Sequence, residues 1–230
     1  MPGLFVTAIG TDVGKTFVAC ALIAAARRRG MPVRAYKPVV TGLDPGDAAA
    51  ARLSDPGRLL AALGEPCDPD RIAAIAPWRF RDPVSPDIAA AREGIAIDVE
   101  AVIAFVREAA RRATPDSLVV VEGIGGALVP LGDAETIGDV IEAAGLPVLL
   151  VSATYLGSLS HTLTACESLA ARDVDVRALA VSESPGAPVT LAEACAVIER
   201  YVRAPVIPFP RDDPSAAARA ADDLLARCVT

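Results

Sequence analysis

Ten residues near the start of the chain have the composition of a phosphate-binding loop. Segment 7–16 ends in Gly14, Lys15 and Thr16, and it lies between an apolar run typical of a buried strand and an alanine-rich run typical of a helix. A glycine-rich turn at such a junction can direct backbone N–H groups at a polyphosphate, and the helix dipole favours the same anion. Lys15 can then reach the outer phosphates, while the Thr16 hydroxyl can ligate an accompanying Mg²⁺. The segment therefore predicts a nucleoside triphosphate site.

One position departs from the common phosphate-loop pattern. Five positions before Gly14, where that pattern has glycine, the chain has Ile9, and the nearest glycine is Gly10. The opening turn of the loop is therefore expected to differ. The alternative interpretation, an ordinary surface loop, requires the strand, the Gly-Lys-Thr triplet and the helix to follow one another by chance.

Charged residues stand at the ends of two further apolar segments. Lys37 lies between Tyr36 and Pro38 in an apolar strand, and Glu122 ends the wholly apolar run 118–122. An acid there is costly unless it meets a cation such as Mg²⁺, and a lysine there can serve an anion in the cleft. The alternatives are a solvated loop acid and a lysine that extends along the sheet edge to water. Asp47 and Asp55 both follow the second strand, and their spacing alone does not choose between them as a further metal ligand.

Composition excludes several classes of function. The chain has 230 residues, enough for one large domain, and its net charge of −7 disfavours nucleic acid and anionic membranes as partners. No apolar run is long enough to cross a bilayer, and the start resembles no signal peptide. The five cysteines are far apart, which indicates a reduced, cytoplasmic protein. The only histidine, His161, has no carboxylate nearby in sequence and is expected to be structural; the alternative is a general base.

Apolar segments without polar alternation are separated by helical patterns along the whole chain. Strands are expected at 4–6, 33–39, 118–122, 148–152, 176–182 and 206–208. Helices are expected at 17–26, 54–63, 88–93, 99–113, 137–144, 158–171, 191–202 and 216–227, with Ser54 as an N-cap and a proline-rich irregular loop over 65–87. The fold class predicted is α/β, a single-domain parallel sheet over 1–230 with helices on both faces, of the P-loop NTPase type. Ligands bind such sheets at the carboxyl ends of the strands, where the loop, Lys37 and Glu122 converge.

Several blocks of the chain resemble the dethiobiotin synthase family, the ATP-dependent ligases that close the ureido ring in biotin synthesis. The matching blocks keep their order and spacing from residue 5 to about residue 161. They are Phe5-Val6-Thr7, Val13-Gly14-Lys15-Thr16, Tyr36-Lys37-Pro38-Val39, Thr41-Gly42, Pro83-Val84-Ser85-Pro86, Arg92-Glu93-Gly94, Val121-Glu122-Gly123, Gly125-Gly126, and Leu156-Gly157 with His161.

The resemblance implies a set of nucleotide and metal contacts. Mg²⁺ would be held by Thr16, Glu122 and an aspartate after the second strand, for which Asp55 fits the family pattern better than Asp47. Lys15 and Lys37 would be the catalytic residues. ATP would contact Asp12, Val13, Gly14, Lys15, Thr16, Phe17, Ser182 and Pro208.

The resemblance also implies the substrates, diaminopelargonate and CO2, and a homodimer. Lys37 would hold the carbamate formed from CO2 and one amine, and Thr41 would face the same end of the diamine. The far carboxylate would rest on the helix start of the second subunit, so that the substrate site lies at the subunit interface. That helix start comprises Leu156, Gly157, Ser158 and Ser160, although both serines are also ordinary helix-capping residues.

Three departures from the family pattern affect the nucleotide site. Residues 8–10 replace the usual Gly-Thr-Asp, and Asp12 stands where many relatives have glutamate. Ser182 stands where relatives often read the base with asparagine, and a hydroxyl makes fewer directional contacts than an amide. Other nucleoside triphosphates are therefore expected to support turnover at a sizeable fraction of the ATP rate.

Two other functions fit a phosphate loop. A related amide ligase with a glutaminase domain would need more than 230 residues. A partitioning-type ATPase would have a further lysine where this chain has Gly10, and a basic amphipathic tail. The tail of this chain is instead acidic, with Asp212, Asp213, Asp222 and Asp223.

Overall fold

The computed structural model describes residues 3–44 and 46–228. The first half of the chain contains β1 (Gly3–Ala8), α1 (Lys15–Arg28), β2 (Val33–Tyr36), β3 (Val39–Val40), α2 (Ala48–Leu53), α3 (Asp55–Leu63), α4 (Pro69–Ile75), β4 (Trp78–Arg79), α5 (Pro86–Arg92) and α6 (Val99–Arg111). The second half contains β5 (Leu118–Glu122), α7 (Ile137–Ala144), β6 (Val148–Ala153), α8 (Ser158–Ala170), β7 (Val176–Ser182), α9 (Leu191–Ile198), β8 (Val206–Phe209) and α10 (Pro214–Cys228).

Six parallel strands form the central sheet in the order β2-β5-β1-β6-β7-β8. Every residue of β1, β5 and β6 is buried, because helices cover both faces and leave no face for polar alternation. The predicted parallel α/β fold is therefore confirmed. Since β1 pairs with β5 on one side and with β6 on the other, the loop that follows β1 lies at the centre of the carboxyl edge.

Helix α1 is anchored to this sheet by a continuous apolar face. Val18, Leu22 and Ile23 are fully buried, as are three alanines of the helix, Ala19, Ala25 and Ala26. The spacing of three to four residues brings these side chains to one side of the helix. The N-terminus of α1 is thereby held rigidly against the end of β1.

The second strand is shorter than predicted. β2 ends at Tyr36, and the chain then leaves the main sheet so that Val39 pairs with Trp78 in a separate two-stranded sheet, β3-β4. Proline at position 38 has no N–H for a ladder, and the Lys37 N–H donates instead to the Ile75 carbonyl. Lys37 therefore lies at the point where the chain turns out of the sheet.

The expectation of an irregular loop over 65–87 was wrong. This stretch contains α4 and β4, and α5 begins within it. Pro69 and Pro86 occupy the first positions of α4 and α5, where the missing N–H costs nothing and the fixed φ favours the helix. A high proline content therefore marked helix starts in this region.

Other differences concern helix limits. Helix α2, which was not predicted, precedes α3 and begins after Asp47. Helix α9 ends at Ile198 rather than at 202, and α10 begins at Pro214 rather than at 216. Over 3–44 and 46–228, no helix combines the length and apolar character needed to cross a membrane.

Ser54 is the N-cap of α3, as predicted, and it positions the first turn of that helix. Its Oγ accepts from the Gly57 N–H at 3.3 Å and donates to the Ala51 carbonyl at 2.6 Å. We expect Ser54→Ala to lower the free energy of unfolding by about 1 kcal/mol, the usual cost of a lost cap. Urea unfolding measures the loss, and Thr190→Ala, which removes the cap of α9 at the other end of the chain, is the matched control. Unchanged stability in Ser54→Ala alone would contradict the capping role.

Candidate functional site

A cleft of about 700 Å³ opens at the carboxyl edge of the central sheet. Its walls come from the loop after β1, the start of α1, the residues after β2, α3, the segment before α5, the turn after β5 and the loop after β8. The lining residues are Thr11, Asp12, Gly14, Lys15, Thr16, Phe17, Lys37, Val40, Thr41, Asp55, Arg58, Pro83, Val84, Ser85, Pro86, Ile124, Gly125, Val129 and Arg211.

The phosphate-type loop is built around Gly14. This residue is the N-cap of α1 and has a φ of 103°, in the left-handed region that favours glycine. A Cβ at this position would lie 2.4 Å from Arg211 Nη2 and 2.6 Å from Ser182 Oγ. Position 14 therefore requires glycine both for its backbone angle and for the close approach of these two side chains.

Lys15 is held inside the loop. Its Nζ donates to the Gly10 carbonyl at 2.9 Å, and the residue is buried. Burial lowers the pKa of the Lys15 ammonium to about 8, and the positive charge of Lys37 adds to this effect, while nearby carboxylates oppose it. The ammonium is thus largely charged at neutral pH and lies where an anion would replace lost hydration.

Lys37 lies in a buried ionic cluster with two carboxylates. Its Nζ is 2.7 Å from Glu122 Oε1, 3.0 Å from Asp55 Oδ2 and 2.7 Å from the Gly123 carbonyl oxygen. Lys37 is 1% exposed and Glu122 is fully buried. A lysine extending to water is excluded by this burial. Lys15 and Lys37 are the only two lysines in the sequence.

The charges within this cluster stabilise one another. Burial by itself would lower the pKa of Lys37, but Glu122 and Asp55 raise it above its ordinary value. Burial would likewise raise the pKa of Asp55, but Lys37 and the hydrogen bond from Thr16 lower it below its ordinary value. Lys37 is therefore an ammonium and Asp55 a carboxylate at neutral pH.

The two aspartates left open by the sequence have different places. Asp47 Oδ1 accepts from the Ala49 and Ala50 N–H groups at 2.9 Å, and Asp47 is thus the N-cap of α2. Asp55 Oδ1 lies 2.8 Å from Thr16 Oγ1, which is also 2.8 Å from Glu122 Oε1. Thr16, Asp55 and Glu122 therefore form one cluster of oxygens, and Asp47 is committed to its helix.

This oxygen cluster fits a hard divalent cation. A hydroxyl and two carboxylates are the donors that Mg²⁺ prefers. Glu122 Oε2 is buried and has no hydrogen-bond partner among the described residues, so one carboxylate oxygen remains for a further ligand. This cluster contains two acids and a hydroxyl, and among the described residues no three His, Cys, Asp or Glu side chains are grouped so that they could hold a metal ion.

The residues expected to bind the substrate fall into two groups. Thr41 lines the cleft with Lys37. Segment 156–160 does not line it; Leu156 is 87% exposed at the start of α8. The expectation that Ser158 and Ser160 are capping residues was wrong, because Gly157 is the N-cap and no side chain caps α8. The buried Ser158 Oγ has no partner among the described residues. His161 Nδ1 lies 2.7 Å from the Tyr155 hydroxyl on the same helix start.

Ser182 ends β7, is fully buried and does not itself line the cleft. Arg211, which sequence reasoning missed, donates from Nε to Ser182 Oγ at 3.0 Å. Pro208 is exposed within β8 and does not line the cleft, whereas Phe17 does. Arg58 on α3 was also missed. Arg211 follows the end of β8, so the rule that ligands bind at strand ends is the signal that could have found it.

Comparison with known proteins places the chain among P-loop proteins. A family model described as an AAA domain matches residues 2–209. The ATP-dependent dethiobiotin synthetase BioD of Caulobacter sp. strain K31 is 48% identical to the chain, with 98% of this chain and 95% of the relative covered. The protein of the same name from Methylobacterium nodulans is 46% identical, with 85% and 88% covered.

Solved structures with similar folds are more distant in sequence. A complex of the cell division proteins MinC and MinD from Aquifex aeolicus matches with a TM-score of 0.56 at 13% identity, covering 100% of this chain and 94% of that one. A ParA family ATPase from Chlorobium tepidum matches with a TM-score of 0.54 at 14% identity, covering 98% and 99%. At these identities, the likeness shows the fold alone.

The geometry at Gly14 gives a direct test of the loop. In Gly14→Ala, the Cβ would collide with Arg211 and Ser182 and would force a left-handed backbone on alanine, at a cost of about 1–2 kcal/mol. We expect this variant to lose measurable ATP binding by calorimetry. The matched control is Gly30→Ala, since Gly30 has a φ of 73° but no atom within 4 Å of its Cβ position. The control should lose similar stability and keep ATP binding, and normal binding by Gly14→Ala would contradict the proposed close approach.

Proposed function

We propose that this chain, which belongs to the ATP-dependent dethiobiotin synthetase family, closes the ureido ring of dethiobiotin. The substrates would be 7,8-diaminononanoate (diaminopelargonate), CO2 and ATP. The chain is an ATP-dependent ligase with a role in biotin biosynthesis. On this proposal residues 1–230 form a single ATP-binding ligase domain. The protein would act in the cytoplasm and would bind neither membranes nor nucleic acid.

The observation that carries the proposal is the buried ammonium of Lys37. It lies 2.7 Å from Glu122 and 3.0 Å from Asp55, and it lines the same cleft as Lys15 and Thr41. A nucleotide-binding site does not need a second buried lysine beside the loop lysine. A reaction that brings a carbamate up to a phosphate does need one, because two anions must approach each other as water is excluded.

The proposed reaction has three steps. One amine of the substrate adds to CO2 and loses a proton, which gives a carbamate. A carbamate oxygen then attacks the γ-phosphorus in line, the bond from that phosphorus to the bridging oxygen of ADP breaks, and a carbamic-phosphoric anhydride forms. The neighbouring amine attacks the anhydride carbonyl, inorganic phosphate leaves, and a second proton goes to solvent. Lys15 and Lys37 stabilise the charge on the transferring group in the second step.

Thr16, Asp55 and Glu122 would hold Mg²⁺. Bound there, the cation would neutralise phosphate charge. Support comes from the three oxygen donors and from the unpartnered Glu122 Oε2. Since Lys37 pairs with the same two carboxylates, its ammonium and the cation would share them.

We further propose that a homodimer completes the substrate site. Leu156, Gly157, Ser158 and Ser160 would bind the far carboxylate of a substrate held in the cleft of the other subunit. Three observations support this: Leu156 is 87% exposed, this segment lies outside the cleft of its own chain, and the buried Ser158 Oγ has no partner among the described residues. The N-terminus of α8 adds unpaired N–H groups suited to a carboxylate.

The role of Lys37 is tested by Lys37→Gln. Lys15 and the loop N–H groups remain, so ATP should bind within a few-fold of the wild type. Turnover should fall by on the order of a hundredfold or more, because the lost charge acts mainly in the transition state. Calorimetry of ATP binding and a dethiobiotin assay on the same variant measure both quantities.

The chain offers two controls for this test. Arg34→Gln removes a positive charge from an exposed position of β2 and should behave as the wild type. Because the variant has Lys15 as its only lysine, one Nζ signal should remain in ¹⁵N-lysine NMR, and its shift on adding ATP reports binding independently. Binding lost in parallel with turnover would make Lys37 a phosphate contact only, and unchanged turnover would remove it from the mechanism.

The proposed metal ligands are tested by Thr16→Val and Glu122→Gln. Each removes an oxygen ligand with little change of shape, so the fold should persist while Mg²⁺-dependent turnover is abolished. Mg²⁺ should also cease to strengthen ATP binding in calorimetric titrations. Thr114→Val, at an exposed threonine far along the chain, is the control. A near-normal rate at low Mg²⁺ in either variant would contradict the assignment.

A further inference from the structure

We propose that Arg211 sets the nucleobase preference of the cleft and extends its ligands to 6-oxopurine nucleotides, those of guanine and hypoxanthine. The inference rests on the proposed function only in that both concern one nucleotide site. It assigns a specificity role to a side chain outside the predicted set of contacts.

The order of the strands tells which end of the cleft faces a base. Glu122 ends β5 and Lys37 follows β2, and both strands lie on one side of β1. The terminal phosphate belongs at that end, beside Thr16. A nucleotide that crosses the loop after β1 then has its nucleoside on the other side, above β7 and β8, where Ser182 and Phe209 are the last residues.

Arg211 is fixed at this nucleoside end. Its Nε donates to Ser182 Oγ at 3.0 Å, and its backbone N–H donates to Glu183 Oε2 at 3.3 Å. The guanidinium carbon lies 5.9 Å from the centroid of the Phe17 ring, which in turn packs edge-on against Phe209 at 5.5 Å. The side chain is therefore held by a hydroxyl and an aromatic face at the wall of the cleft.

The guanidinium keeps hydrogen-bonding capacity for a ligand. Arg211 is half-buried, and within 3–44 and 46–228 no carboxylate forms an ion pair with it. Only Nε has a side-chain partner there, so the N–H groups on Nη1 and Nη2 remain to be satisfied. Two such N–H groups form a rigid fork that matches two adjacent acceptors.

This fork discriminates between purines. Guanine and hypoxanthine offer O6 and N7 as neighbouring acceptors, which an arginine can bind in a bidentate manner. Adenine offers N7 beside an N6 amino group, and a donor facing a donor cannot bond. Ser182, small and neutral, leaves room for either base while it orients the guanidinium. Arg211 should thus strengthen 6-oxopurine binding and add little to adenine binding.

The experiment compares equilibrium binding of Mg²⁺-ADP, Mg²⁺-GDP and Mg²⁺-IDP by calorimetry on the full chain. Wild-type protein should bind GDP within about tenfold of ADP. Arg211→Met should weaken the binding of GDP and IDP by about tenfold or more, which is the scale of a bidentate base contact. The affinity for ADP should change less than threefold. Ser182→Ala should also weaken the binding of GDP and IDP, but by less, because it removes only the hydrogen bond that orients the guanidinium. Arg203→Met removes an exposed arginine outside the cleft and should change nothing.

Two results would overturn the proposal. Equal losses for ADP, GDP and IDP in Arg211→Met would show that the guanidinium holds a phosphate. Wild-type discrimination against GDP by more than about a hundredfold, roughly 2.7 kcal/mol, would show that no 6-oxopurine is accepted. Because binding of diphosphates requires no reaction, both results are distinct from failure of dethiobiotin formation, which would contradict the proposed function instead.

Discussion

The interaction on which the site depends is the buried pairing of Lys37 with Glu122 and Asp55. A charge that is removed from water costs several kcal/mol unless partners replace its hydration. Lys37 has three oxygen partners within 3.0 Å, and Glu122, fully buried, has Lys37 and Thr16. None of these groups could be buried alone, so the end of β5, the residue after β2 and the first turn of α3 must come together in the folded chain.

The parallel sheet makes this meeting possible. All six strands of the central sheet run the same way, so their carboxyl ends share one edge. β5 lies between β2 and β1, which brings Glu122 between Lys37 and the loop that carries Thr16. Helix α3 then adds Asp55 from outside the sheet, with Ser54 as its cap. The side chains of the site are therefore positioned by the ends of rigid strands and helices.

The two ends of the cleft use different cations. Lys15 and Lys37, the only lysines of the chain, lie where phosphate and carbamate would meet, and a compact ammonium suits changing charge there. Arg211 lies after β8, where its guanidinium donates to Ser182 and contacts the Phe17 ring. A planar fork of donors suits recognition of a fixed edge. On these proposals the phosphate chemistry and the selection of the base would take place at different ends of the nucleotide.

The sequence by itself determined the type of fold, the phosphate-type loop, and the unusual positions of Lys37 and Glu122. Buried parallel strands are apolar along their whole length, and a charged residue that ends such a run is visible without coordinates. The sequence could not determine that segment 65–87 contains α4 and β4, because proline is common both in loops and at the first position of a helix.

Only the tertiary structure decided between Asp47 and Asp55 and revealed Arg211. Both aspartates follow β2 at helix starts, so their spacing alone does not separate them, although the family resemblance favours Asp55. In the folded chain α3 packs beside α1, so that Asp55 reaches Thr16 while Asp47 caps α2. Arg211 follows β8 in an irregular loop with no periodicity to read. Arg211 contacts Ser182 and approaches Gly14, and both residues are far from it in the chain. Such contacts arise only when the whole sheet has packed.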